Sequence, residues 1–138
     1  MRKTDFERLK TGDQASITKT ISEEDVNLFA GITRDFNPLH TQDEYARKSI
    51  FKRRVAHGML TASLISAVIG TVLPGPGTIY LEQTLKFHAP AFIGDTITAL
   101  VEVIDKTPGK KRICLKTTCK NQNDQLILSG QALVMPGQ

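Results

Sequence analysis

The hexapeptide Asp35-Phe36-Asn37-Pro38-Leu39-His40 sets a carboxylate and an imidazole five residues apart around an Asn-Pro pair. Proline disfavours the helical conformation in the residue before it, so the apolar-periodic segment preceding Asn37 must end here and both titratable groups sit on a turn. A turn can aim Asp35 and His40 at one point, and a carboxylate beside an imidazole is a usual pair for moving protons. The same residues also suit local roles: Asp35 and Asn37 can bond nearby backbone N–H groups, and His40 can rest against a carbonyl. A second place for chemistry is His57-Gly58, which opens a stretch to Leu73 without Asp, Glu, Lys or Arg. The first N–H groups of a helix have no partner within it, and a glycine there lets a carbonyl oxygen approach closely, giving a one-donor oxyanion site. Close packing alone would also explain Gly58. In steps of four and three, Gly58, Ala62, Ser66 and Ile69 fall on one face, a small, polar, then apolar stripe.

These groups need a scaffold. Gln14 to Ile21 alternates weakly and reads as a first strand. Ser22 then reads as an N-cap, with Glu23, Glu24 and Asp25 in the turn where the helix dipole favours acids. Val26, Phe29, Ala30 and Thr33 make the inward face of a short helix, and residues 43–49 add one or two helical turns. From His57 to Leu73 the chain is apolar or small on nearly every side, which predicts a helix enclosed all round. Leu73-Pro74-Gly75-Pro76-Gly77 stops it. It is no phosphate loop, because no Lys-Ser/Thr follows and proline removes a needed N–H.

Four alternating runs follow, Thr78 to Ala89, Asp95 to Ile104, Arg112 to Lys120 and Leu126 to Met135, with short spacers between them. Short links favour antiparallel neighbours, so the second half is expected to be a meandering sheet. One long helix and an antiparallel sheet that curls round it make an α+β arrangement, the hot-dog fold.

The 138 residues contain no repeat, low-complexity tract or linker, so residues 1–138 are read as one domain. With 40% hydrophobic and 23% charged residues, disorder is excluded. The net charge of +4 fits a solvated surface or an acidic ligand, and Arg53, Arg54 and Lys110-Lys111-Arg112 are expected to be solvated. No basic stripe interleaved with aromatics, no Trp and no zinc-finger spacing speak for nucleic acid. Neither a signal peptide nor a membrane span is expected. Cys114 and Cys119 lie an odd five residues apart, on opposite faces of one strand, so free thiols in a reducing, cytoplasmic compartment are expected. Asp35, His40, His57 and His88 lack any HxxH, HExxH or CxxC spacing, and no metal site is expected. His88 reads as structural.

Three segments, DVNLFAGITRDFNPLH, VAHGMLTASLISAVIG and LPGPGTIYLEQTLKFHAPAFIGD, together resemble the MaoC-type (R)-specific enoyl-CoA hydratases of fatty-acid and polyhydroxyalkanoate metabolism. The likeness runs from about Ile21 almost to the C-terminus. It implies that Asp35 and His40 are catalytic, that Gly58 supplies the oxyanion N–H and that Asn37 shapes the loop. It further implies that Ser66 lies in the active-site region, with Ile69 helping to set the depth of an acyl tunnel; Ala62, on the same stripe of the helix, is read as a further lining residue suited to a thioester and its alkyl tail. It implies an acyl-CoA thioester substrate, no cofactor beyond the coenzyme A of that substrate, and a homodimer whose two sheets join edge to edge. A hot-dog thioesterase is the nearest rival, but those enzymes usually carry an acid on the long helix, and none stands between His57 and Leu73. A non-catalytic acyl-CoA-binding module is the rival of another class.

Overall fold

A computed structural model describes residues 5–137. The chain runs through α1 (Asp5–Arg8), β1 (Gln14–Thr20), α2 (Glu23–Thr33), two short helices α3 (Pro38–Thr41) and α4 (Asp43–Arg47), and the long α5 (Gly58–Thr71). It continues through β2 (Ile79–Gln83), β3 (Lys86–Phe87), β4 (Thr96–Thr107), β5 (Arg112–Lys120) and β6 (Leu126–Met135). The sheet has the order β1-β4-β5-β6-β2, with β3 also on β6, and every pair is antiparallel. The meander expected for the second half forms only over β4, β5 and β6; the run before them crosses over, so that β2 and β3 pair with β6, because β1 takes the edge of β4 with Gln14 opposite Glu102 and Thr20 opposite Thr96.

Local chemistry explains the elements. Ser22 caps α2 through a reciprocal box: its Oγ accepts the Asp25 N–H at 3.0 Å, and Asp25 accepts the Ser22 N–H at 3.0 Å. Period-two alternation turns Ile97, Ala99, Val101 and Val103 of β4 inward, where they meet Ile113 and Leu115 of β5 and Ile65, Val68 and Ile69 of α5. Alternation also sends Cys119 into the core while Cys114 faces the other way, and both are free. Burial pushes the Cys119 thiol up to about 12. Among the described residues, no helix is long and apolar enough to cross a membrane.

Four further expectations need correction. Thr33 is exposed; its hydroxyl donates to the Phe29 carbonyl at 2.7 Å instead of packing inward. The run Thr78 to Ala89 is two strands. A side chain at Gly130 on β6 would lie 1.8 Å from the Thr84 carbonyl oxygen, so the chain crosses β6 there too closely for regular pairing. Thr84 stays attached by its N–H to the Gln131 carbonyl and by its hydroxyl to the Gln131 N–H, each at 2.9 Å. Arg54, expected on the surface, is only 6% exposed, because three acceptors from two segments, Glu23 and Asn27 of α2 and the His40 carbonyl of α3, surround its guanidinium.

The largest departure concerns α5. Its inner side is buried, but Met59 is 57% exposed and Ser63, Ser66 and Gly70 are open, beside Leu28 and the 81% exposed Ile32 of α2. Hydropathy reports that a face avoids water without saying whether the sheet of the same chain covers it, and one curled sheet covers one side.

Candidate active site

The site is assembled from the end of α2, the turn after it and the segment that leads into α5. Arg34 ends α2 in the left-handed region at φ 67°, its N–H on the Ala30 carbonyl at 2.7 Å. The chain emerges at Asp35, whose N–H is held by the Thr33 hydroxyl at 3.2 Å. Asp35 Oδ1 accepts the Asn37 N–H at 3.2 Å, and Asn37 Oδ1 accepts the Leu39 N–H at 3.0 Å, capping α3 with Pro38 in its first turn. The local roles open to Asp35 and Asn37 from sequence are thus both filled, and they are what bend the chain so that His40 swings back towards Asp35.

His40 is locked from behind. Its Nδ1 lies 2.6 Å from the Val55 carbonyl, and a carbonyl can only accept, so Nδ1 carries the hydrogen and the neutral ring keeps its lone pair on Nε2. The Arg54 Nε–H donates to the His40 carbonyl at 2.6 Å, while its other nitrogens donate to Glu23 at 2.9 Å and Asn27 at 2.8 Å on α2. The next residues are tied to the far loop by the Ala56 N–H on the Ala91 carbonyl at 2.7 Å. Burial holds the His40 imidazole below its ordinary value of 6.5; the adjacent His57 reinforces this, and the Val55 carbonyl and Asp35 oppose it.

Asp35, His40 and His57 each bring a donor atom within 4.8 Å of the other two, the one such group of acid and imidazole side chains found among the described residues. Two atoms at that separation can both reach one water at about 2.8 Å, a normal hydrogen-bond length. His88 is not a member: its Nε2 lies 2.8 Å from the Ser129 hydroxyl. Asp35 is exposed, His40 half-buried and His57 buried, so the group spans the boundary between solvent and core.

Beside His40 lies a cavity of about 400 Å³ whose lining includes Leu39, Gly58, Thr61, Phe87 and Ile127. Gly58 is the first residue of α5, where a backbone N–H has no acceptor inside the helix. A side chain at Gly58 would stand 2.7 Å from the Phe87 ring, so the expected close packing is present as well. Thus one cavity brings together His40 and Gly58; Asp35 does not line it but brings its carboxylate within 4.8 Å of the His40 ring. Ala62, Ser66 and Ile69 do not line it. At about 100° and 1.5 Å per residue, Ser66 turns some 80° away from Gly58, and Ile69 lies roughly 16 Å along the axis. Accordingly Ser66 is exposed, and Ala62 and Ile69 are buried in the core. Thr61 escaped notice in the sequence, and so did the roles of His57 and Arg54. Thr61 has its hydroxyl buried without a partner, His57 joins the acid and imidazole, and Arg54 holds the turn. A threonine four residues after a histidine in a greasy helix was the available sign for the first.

The MaoC like domain model matches residues 6–125. This chain belongs to the MaoC-like family. A protein of Rhodospirillum rubrum named (R)-specific enoyl-CoA hydratase is 52% identical over 130 residues, 94% of this MaoC-like chain and 90% of that protein. A 3-hydroxybutyryl-CoA dehydratase of Methylorubrum extorquens is 47% identical, over 94% of this chain and 82% of its own length. The solved structure of an (R)-hydratase from A. caviae involved in PHA biosynthesis superposes with a TM-score of 0.92 at 40% identity, covering 94% of this chain and 98% of that one. The hot-dog architecture of the MaoC-like chain is thereby shared with a solved hydratase along nearly its whole length.

Proposed function

We propose that the protein is an (R)-specific enoyl-CoA hydratase, adding water to a trans-2-enoyl-CoA to give the (R)-3-hydroxyacyl-CoA, and reversibly dehydrating it. The observation that carries this reading is the convergence of Asp35 and His40 within reach of one water, with His40 in the wall of a cavity that the Gly58 end of α5 also lines. The names of the relatives fit both directions, since hydration and dehydration are one reaction.

The thioester carbonyl accepts a hydrogen bond from the Gly58 N–H, which draws electrons from the conjugated double bond and makes C3 electrophilic. The Asp35/His40 pair takes a proton from its water, with His40 Nε2 as the available lone pair, while the water oxygen bonds to C3. A proton returns from the pair to C2 on the same face, so the pair ends as it began. The thioester is itself the electron sink, so the reaction needs no cofactor besides the coenzyme A of the substrate. The buried Thr61 hydroxyl, without a protein partner, is placed to meet the bound thioester.

The same reading makes the protein a homodimer. The exposed Leu28, Ile32 and Met59, and the apolar Ile79, Tyr80 and Leu81 on the edge strand β2, are surfaces a second copy would cover. The two free thiols fit a reducing cytoplasm. Crotonyl-CoA tests the function: loss of the conjugated enoyl absorbance without free thiol, and an (R) product by chiral analysis. Thiol release instead would mean a thioesterase, and tight binding without turnover would mean a binding module; either overturns the proposal. Sedimentation equilibrium tests the dimer, and a monomer at micromolar concentration would reject it.

A further inference from the structure

His57 touches both proposed catalytic groups yet does not line the cavity. It is 2% exposed, at the N-cap of α5, and it makes no side-chain bond to that helix. Its Nε2 lies 3.0 Å from the backbone carbonyl of Asp35, 22 positions upstream, so Nε2 carries a hydrogen and donates it. Its Nδ1 is buried without a partner. The ring is clamped between Phe29, at 4.9 Å between centroids, and His40, at 4.2 Å and 34°. Packing alone does not account for this imidazole: a phenylalanine would fill the space without burying an unpaired nitrogen.

We propose that His57 is the positioning residue of the Asp35/His40 pair, its N–H fixing the Asp35 peptide and its ring backing the His40 imidazole. The carboxylate follows the peptide, because Asp35 Oδ1 is tied to the Asn37 N–H two residues on. His40 is then fixed on two sides, by the Val55 carbonyl at Nδ1 and by the His57 face. The charged or titratable groups that face His40 are Asp35, His57, the Arg54 guanidinium on the His40 carbonyl, and His88 in the wall of the same cavity. Of these side chains, His57 is the one in ring contact, and it acts together with burial to keep the His40 base free of its proton.

This inference rests on the hydratase reading, and wild-type turnover of crotonyl-CoA tests that reading separately. His57→Phe keeps a ring and loses the N–H; His57→Gln keeps an N–H near the Nε2 position and loses the ring. With wild-type melting behaviour, His57→Phe should lose roughly 10- to 100-fold in kcat with KM changed by less than about threefold, the mark of misplaced reacting groups. His57→Gln should retain kcat within about fivefold, while the acid limb of its kcat/KM profile moves up towards the ordinary histidine value. The titration of His40, followed by NMR, should move with it. Wild-type kcat in His57→Phe would overturn the proposal. So would equal losses in the two variants, or a His57→Gln profile and His40 titration that do not move. If His57→Phe does not fold, His57→Gln decides by the same two measurements.

Discussion

Between Ile65 and Ile69 the inner side of α5 is closed, apolar and packed against β4 and β5. Four to eight residues earlier, the same helix begins with a buried imidazole nitrogen and a buried hydroxyl that have no partner. These are the two such side-chain atoms found among the described residues. One of the two belongs to Thr61, which lines the cavity beside Gly58, and the other to His57, which packs against His40 and holds the Asp35 carbonyl. The body of the helix holds the fold together, and its first turn borders the site.

Substitutions should separate the two regions, and the largest effect belongs to the first turn's partners. Asp35→Asn keeps the acceptor for the Asn37 N–H, and His40→Gln changes only a half-buried side chain. Each should melt within a few degrees of wild type and lose about 10³-fold or more in kcat, a general acid–base contribution measured by crotonyl-CoA kinetics. Substantial turnover in either would remove it from the mechanism. Gly58→Pro comes next. Proline is tolerated at the first helical position, and His57 already has the extended ψ of 134° that a residue before proline favours. Both Gly58→Pro and Gly58→Ala bring a Cβ against Phe87, and only proline removes the N–H. A further kcat loss of about 10²- to 10³-fold for proline over alanine is the share of the amide. Equal rates would mean that the amide carries none.

In the body of the helix the pattern should invert. Ile65→Ala should cost about 2–5 kcal/mol by denaturant melts while the molecules still folded turn over normally. A large kcat loss at unchanged stability would erase the distinction between the two regions. The smallest effect, and the sharpest, is Thr61→Val. Removing a buried hydroxyl without a partner should raise stability by about 1 kcal/mol and should raise KM. A loss of stability would reveal a protein partner for the hydroxyl. Acid adds a check on the same turn. The His40 imidazole is held below 6.5 by burial, so its contribution to stability is complete above 6.5 and fades as pH falls through its folded value.

Much of this was legible in the sequence because it depends on neighbours in the chain. Ser22 and Asp25 are three residues apart, the β4 to β6 strands alternate, and Asp35, Asn37 and Pro38 make their own turn. What was not legible depends on distant partners. Arg54 reads as a surface charge until Glu23 and Asn27, some 30 positions away, are seen to enclose it. The break at Thr84 belongs to Gly130 on another strand. The open side of α5 carries the same hydropathy as the covered side, and no period reports which of them this chain's sheet reaches. His57 went unassigned because its one bond reaches back 22 residues to a carbonyl, a group every residue has.

The Arg54 guanidinium is a flat, rigid fork whose nitrogens grip Glu23 and Asn27 on α2 and the His40 carbonyl at once. One side chain thus ties the first half of α2, the helix whose Leu28 and Ile32 stand open, to the peptide that carries the base.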